Sequence, residues 1–425
     1  MVSREVAMCM LRGEWGKAMR LAQERTQGED GEVYSGIVHF CRGKLAGRAE
    51  ERLEHFSRAL EVLKGRHELL RSYAEIEMEL ARAELASGVE RGRHLERAGD
   101  IFFRLASVKA FFFANAIKRY AEAEEFYRGE EERLAAVLFK RGRANLMHAE
   151  ASRMDYASFD LAEALECFRE AGEIFARLAK PLEAARCTAY QAACYGRFIP
   201  VEPEENRERF LRKMEAMVGE AVSCLQGEPE ALYEVCMLAG ETYRDEVAKV
   251  RRLRRMAVSR ALELFERALR VAITDGSVEQ VARSREAVAA CLATLSHLER
   301  EGAVERLRMA AREYEACASE YSSCGDEMSL GRVYMNRGVV LRELAMLGFE
   351  PKKSLKHAIS MFERSAEIFD RLEYIDGVAG AKIASSLAYA NLAAYEPERE
   401  GEYRRRSERL SMEVAPMLER LAPKM

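Results

Sequence analysis

Apolar side chains recur every three or four positions along nearly the whole chain. Leu161, Ala164, Leu165, Phe168, Ala171, Phe175 and Leu178 advance in steps of 3, 1, 3, 3, 4 and 3, so all fall on one face of a helix. No stretch sustains the apolar–polar alternation of a half-buried strand. No Asn-Gly or Asp-Gly pair sits between β-branched runs; Asp30-Gly31, Asp275-Gly276 and Asp376-Gly377 each join helical patterns. The breakers fall between the patterns. None of the eight prolines precedes Pro181, and Pro203-Glu204 and Pro229-Glu230 put proline and an acid where a first turn needs them. Ser277 to Gln280 has capping-box spacing. Gly28, Gly65, Gly88, Gly129, Gly227, Gly276, Gly325 and Gly348 follow helical runs and read as helix C-termini. The pattern predicts about 18 or 19 helices joined by loops of about 2–8 residues.

The helices are copied. Gly129, Gly227 and Gly325 are spaced by 98 and 98, and so are Gly142, Gly240 and Gly338. Ala164, Ala261 and Ala358 are spaced by 97 and 97, each followed four residues later by Phe168, Phe265 or Phe362. Ala171, Ala268 and Ser365 complete the motif. A looser copy holds Gly31, Gly43, Phe56 and Ala59, and the helix 98–105 matches 171–178 at a different offset, so the first unit is irregular, and the sequence leaves open whether it contains an extra helix. Small residues at fixed places let neighbouring helices approach, and the phenylalanine fills the gap. One hairpin cannot bury its apolar face alone, but a stack can. The repeats divide the chain into a hairpin over 1–30, an irregular unit over 31–128, and copies over 129–226, 227–324 and 325–425. In the last copy, the pattern from Glu398 to Leu421, charged through Arg404, Arg405, Arg406 and Arg409, caps the array.

The order Gly142, Ala164, Phe168, Ala171 resembles the tetratricopeptide repeat, in which glycine on a first helix precedes alanine, an aromatic and alanine on the second. The resemblance covers most of residues 30–395. It implies an all-α fold: an α-solenoid, a right-handed superhelix of stacked antiparallel hairpins whose first helices line the concave surface. Here glycine to alanine spans 22, 21 and 20 residues, against a family step of about 12, so the hairpins are longer, about two per unit. Some proteins of this kind clamp a peptide carboxylate with lysine three before the glycine and asparagine one after. The corresponding pairs are Phe139/Arg143, Met237/Glu241 and Met335/Val339, so that clamp is absent. The run from Phe168 to Ala185 is also similar to soluble NSF attachment proteins, which implies an adaptor for an AAA-type ATPase.

Composition agrees with long helices. Charged residues make up 32% and hydrophobic ones 48%, with only 27 glycines and 8 prolines. A net charge of −4 disfavours a general nucleic-acid coat. No apolar run has signal-peptide or membrane-spanning character, which predicts a cytoplasmic protein without membrane insertion. The ten cysteines contain no C-x-x-C pair and read as small buried hydrophobes; Cys194, Cys291 and Ala388 share one register position. Phosphate-loop, dinucleotide, nucleophile-elbow and H-E-x-x-H motifs are missing, and no histidine has a second His or Cys at i+4. Glu122, Glu124 and Glu125 read as a solvated face. The expectation is no enzyme, no metal and no cofactor.

Three features stand above that background. Phe111, Phe112 and Phe113 are wider than one buried stripe and form a candidate partner or self-association patch. Lys249, Arg251, Arg252, Arg254 and Arg255, with Lys352, Lys353 and Lys356 in the equivalent stretch of the last copy, form a candidate basic edge. Arg143, Glu241, Arg244, Arg332 and Arg342 lie on the first-helix face around the repeat glycines. The expected function is a scaffold or adaptor that binds another protein through its concave surface. Contact of the basic edge with nucleic acid or an acidic partner stands second.

Overall fold

The computed structural model describes residues 2–28, 30–151, 154–275 and 277–421. Among these there are nineteen α-helices and no strand. They form two compact units, Met1–Cys194 and Tyr195–Met425. The first holds α1 (Arg4–Leu11), α2 (Trp15–Gln23), α3 (Gly31–Leu45), α4 (Ala49–Leu63), α5 (Glu68–Leu85), α6 (Gly88–Leu105), α7 (Phe112–Glu124), α8 (Glu131–Ala151) and α9 (Met154–Arg177). The boundary falls in α10 (Pro181–Phe198). The second unit continues with α11 (Glu204–Cys224), α12 (Pro229–Asp245), α13 (Arg254–Asp275), α14 (Val278–Leu298) and α15 (Ala303–Cys324). It ends with α16 (Glu327–Met346), α17 (Pro351–Arg371), α18 (Ile375–Tyr395) and α19 (Glu400–Leu421). Each unit is a series of helices packed consecutively, the repeat architecture expected of a helical solenoid. Residues 129–226, 227–324 and 325–425 each contain four α-helices among the described residues, whereas 31–128 contains five, a difference the sequence pattern left open.

Caps follow local chemistry. Ser277 accepts from the Gln280 amide at the start of α14, and Pro229 occupies the first turn of α12. Of the glycines read as helix ends, Gly65, Gly88, Gly325 and Gly348 have positive φ, and Gly28, Gly129 and Gly227 do not. Gly276 lies outside the described residues.

The repeated glycines are where the rings go. Phe56, Phe168, Phe265 and Phe362 are fully buried. A Cβ built on Gly43, Gly142, Gly240 or Gly338 would meet the Cε1 of those rings at 2.6, 2.7, 2.6 and 2.5 Å. Cys194, Cys291 and Ala388 are fully buried. Burial pushes the Cys291 thiol up to about 12, which suits packing rather than reactivity. Gly240→Ala should therefore cost stability: overpacking of about 1–3 kcal/mol outweighs a gain of about 1 kcal/mol in helix propensity. Gly219→Ala, whose added Cβ meets nothing within 4 Å, should instead stabilise by about 0.5–1 kcal/mol. Urea midpoints shifted in the same direction by both substitutions would refute this assignment of glycine roles.

Candidate partner-binding face

The helices α12, α14, α16 and α18 are the first helices of successive hairpins in the second unit. Helix α12 presents Glu241 and Arg244, α14 presents Arg283, Glu286 and Ala290, and α16 presents Arg332 and Asn336 around a shared cavity of about 240 Å³. Ion pairs bind each helix to the next. Arg283 holds Glu241 at 3.0 Å, and Arg332 holds Glu286 with both Nε and Nη2, at 2.7 and 2.9 Å. Tyr321 of α15 donates its hydroxyl to the same Glu286 at 3.0 Å. That doubly held carboxylate raises the Arg332 pKa, so the guanidinium stays charged. Arg244 chelates Asp245 and lies over the Phe265 ring at 5.3 Å. The cavity wall is thus a preorganised set of fixed charges.

On α18 the same face is apolar. The 97-residue register places Gly380, Ile383, Leu387, Ala390 and Ala394 where α14 has Arg283, Glu286, Ala290, Ala293 and His297. Ile383 is 40% exposed and Leu387 50%, although both belong to a helix that is apolar all round. Such a helix is ordinarily buried. The first-helix face therefore changes from ionic at α12–α16 to apolar at α18.

Of the residues singled out in the sequence, Glu241, Arg244 and Arg332 come together here. Arg143 lies in the first unit, with its guanidinium over Phe103 and Tyr190 at 5.3 and 5.9 Å. Arg342 is half-buried on α16 and does not line the cavity. Arg283, Glu286, Asn336, Ile383 and Leu387 were not singled out; comparing positions 97 apart gives the Glu286-to-Ile383 exchange that marks the face.

The other two candidates dissolve in part. Phe112 and Phe113 are 2% and 8% exposed, packed against Phe102, Tyr73 and Phe103, and only Phe111 reaches solvent. Three consecutive aromatics span two faces of the chain, and α6 covers one of them. Along the basic edge, Lys249 pairs with Glu246, Arg252 with Glu204 and Arg255 with Glu299, while Arg254 donates to the Ala248 carbonyl. Three of the five cations thus have an acidic partner, and Arg251 and Arg254 have none among the described residues. Glu124 is not on a solvated face: it pairs with Arg141 at 2.6 Å in a half-buried seam.

Among the described residues, no His, Cys, Asp and Glu group is arranged to hold a metal ion, and no helix is long and apolar enough to cross a membrane. No family model and no curated protein matches the chain. Solved structures do. One is a signal transduction ATPase with numerous domains and a tetratricopeptide-repeat sensor from Pyrococcus horikoshii, at 14% identity and a TM-score of 0.49 over 91% of this chain and 55% of that one. Another is aspartyl phosphate phosphatase F from Bacillus subtilis, at 13% identity and a TM-score of 0.42 over 98% of this chain and 95% of that one. A third is a circular tandem repeat protein, at 19% identity and a TM-score of 0.32 over 98% of both chains. The likeness is one of helical-repeat fold.

Proposed function

We propose that the chain is a non-enzymatic scaffold that docks a segment of another protein along the first-helix face of its second unit. The observation that carries this is the passage from a fixed ionic channel to an unburied apolar stripe along one continuous register. Ile383 and Leu387 offer an anchor for apolar side chains, and the channel lined by Glu241, Arg283, Glu286 and Arg332 sets the partner's position and direction. Apolar anchors supply most of the affinity at such surfaces, and held charges supply specificity.

The test is affinity capture from the native cell with the full chain as bait. The wild type should retain at least one protein that Ile383→Asp/Leu387→Asp loses by tenfold or more, with unchanged circular dichroism. Phe111→Ser should retain it. A bait that captures no protein, or captures the same proteins in both forms, refutes the reading.

A further inference from the structure

One seam in the repeat is open where its counterparts are closed. In the copy before it, Arg141 of α8 reaches back to Glu124 of α7 at 2.6 Å and touches the Cys167 sulfur of α9 at 3.1 Å. In the copy after it, Arg337 of α16 reaches back to Glu315 of α15 at 2.9 Å and touches the Met361 sulfur of α17 at 3.8 Å. These positions share the repeat register: Arg141, Ala239 and Arg337 are 98 apart, and Cys167, Leu264 and Met361 are 97 apart. The middle copy thus has alanine where its neighbours have the bridging arginine. The carboxylates are missing as well. Val222 lies 98 after Glu124 and Gly219 lies 96 before Glu315, and neither can pair with a cation.

What remains between α11, α12 and α13 is a groove of about 490 Å³, lined by the apolar Val218, Val222 and Leu264, by Gly219 and Tyr243, by Arg260, Arg267 and Arg270, and by Glu215 and Glu263. Arg267 and Arg270 line it with no carboxylate in ion-pair range among the described residues. The preceding copy carries Glu170 and Glu173 at those positions, so the charge is reversed in the copy whose seam is open. At the other end Arg260 is already paired with Glu263 at 2.8 Å. Tyr243 lines the groove with its ring almost wholly covered, and its hydroxyl can donate to a bound acceptor.

We propose that this groove is a second docking site, separate from the first-helix face, for a short acidic segment of a partner protein. An apolar side chain of the segment rests on Val218, Val222 and Leu264. Its carboxylates pair with Arg267 and Arg270, and one acceptor takes the Tyr243 hydroxyl. The segment supplies the acid that the seam's own helices supply in the neighbouring copies. The apolar wall of Val218, Val222 and Leu264 favours a peptide side chain over a nucleic-acid backbone.

The probe is a fluorescein-labelled twelve-residue peptide of alternating glutamate and leucine pairs, titrated with the full chain and read by anisotropy. Saturable binding is expected, at least tenfold weaker in R267E/R270E, which restores the acids of the preceding copy. Gly219→Glu/Ala239→Arg, which rebuilds the closing ion pair, should weaken it equally. Ile383→Asp/Leu387→Asp should bind the probe as the wild type does, which separates this site from the first-helix face. The same peptide with lysine for glutamate, and a labelled single-stranded oligonucleotide, should not compete. Absence of saturable binding, equal binding by both groove variants, or preference for the lysine peptide or the oligonucleotide overturns the proposal. Should the closing variant fail to fold by circular dichroism, R267E/R270E, which alters a half-buried and an exposed side chain, decides alone.

Discussion

Phe265→Ala is expected to lower the stability of the second unit by about 3–5 kcal/mol, the range for deleting a fully buried ring. The site should pay the full cost because it cannot collapse. The ring's nearest wall is Gly240, where a Cβ would stand 2.6 Å from Cε1, so no side chain there can lean into the space. Its other cover, the Arg244 guanidinium at 5.3 Å, is already chelated by Asp245. The pairing makes a second, sharper expectation. Gly240→Val is destabilising alone, because it collides with the ring, but in the Phe265→Ala background it fills the cavity and recovers about 1–2 kcal/mol. Urea unfolding followed by circular dichroism measures all three variants. Additive effects of the two substitutions would show that glycine and ring are not one packing unit. In a stacked array the loss is also felt locally, so the single variant should broaden the transition as well as shift it.

The repeat itself was legible because its physics is repeated. A glycine facing a ring must recur in every copy that uses the same close approach, and Gly142, Gly240 and Gly338 with Phe168, Phe265 and Phe362 display it at constant spacing. What escaped was whatever depends on neighbours distant in sequence. Arg252 and Arg255 read as free charge, yet their acids, Glu204 and Glu299, stand 48 and 44 residues away on other elements. Phe112 and Phe113 read as a patch because Tyr73 and Phe103, which cover them, belong to helices whose orientation the local pattern does not contain. The alanine at 239 is unremarkable in any window of sequence. It acquires meaning only once Arg141 and Arg337 are seen to reach back across their seams.

Glu124 gives the second large effect, a dependence of stability on pH. Burial pushes its carboxyl up to about 7, outweighing the pull of Arg141 at 2.6 Å, and Glu170 and Glu163 add to the rise. Its Oε1 is buried without a hydrogen-bond partner, which is the atom that bears the cost of ionisation. The unfolded chain keeps the ordinary value of 4.5. The folded chain therefore holds this proton more tightly, and the stabilisation is fully present below pH 4.5, declines as pH rises, and is lost above about 7. The whole swing is at most about 3 kcal/mol. Glu124→Gln keeps an acceptor for Arg141 and carries no charge to desolvate. At pH 8 the variant should be more stable than the wild type by about 2 kcal/mol, and its stability between pH 4.5 and 7 should be flatter by a similar amount. Parallel stability profiles for the two proteins across that window would place the titration elsewhere, and a variant weaker than the wild type at pH 8 would mean that the Arg141 ion pair outweighs the burial it requires.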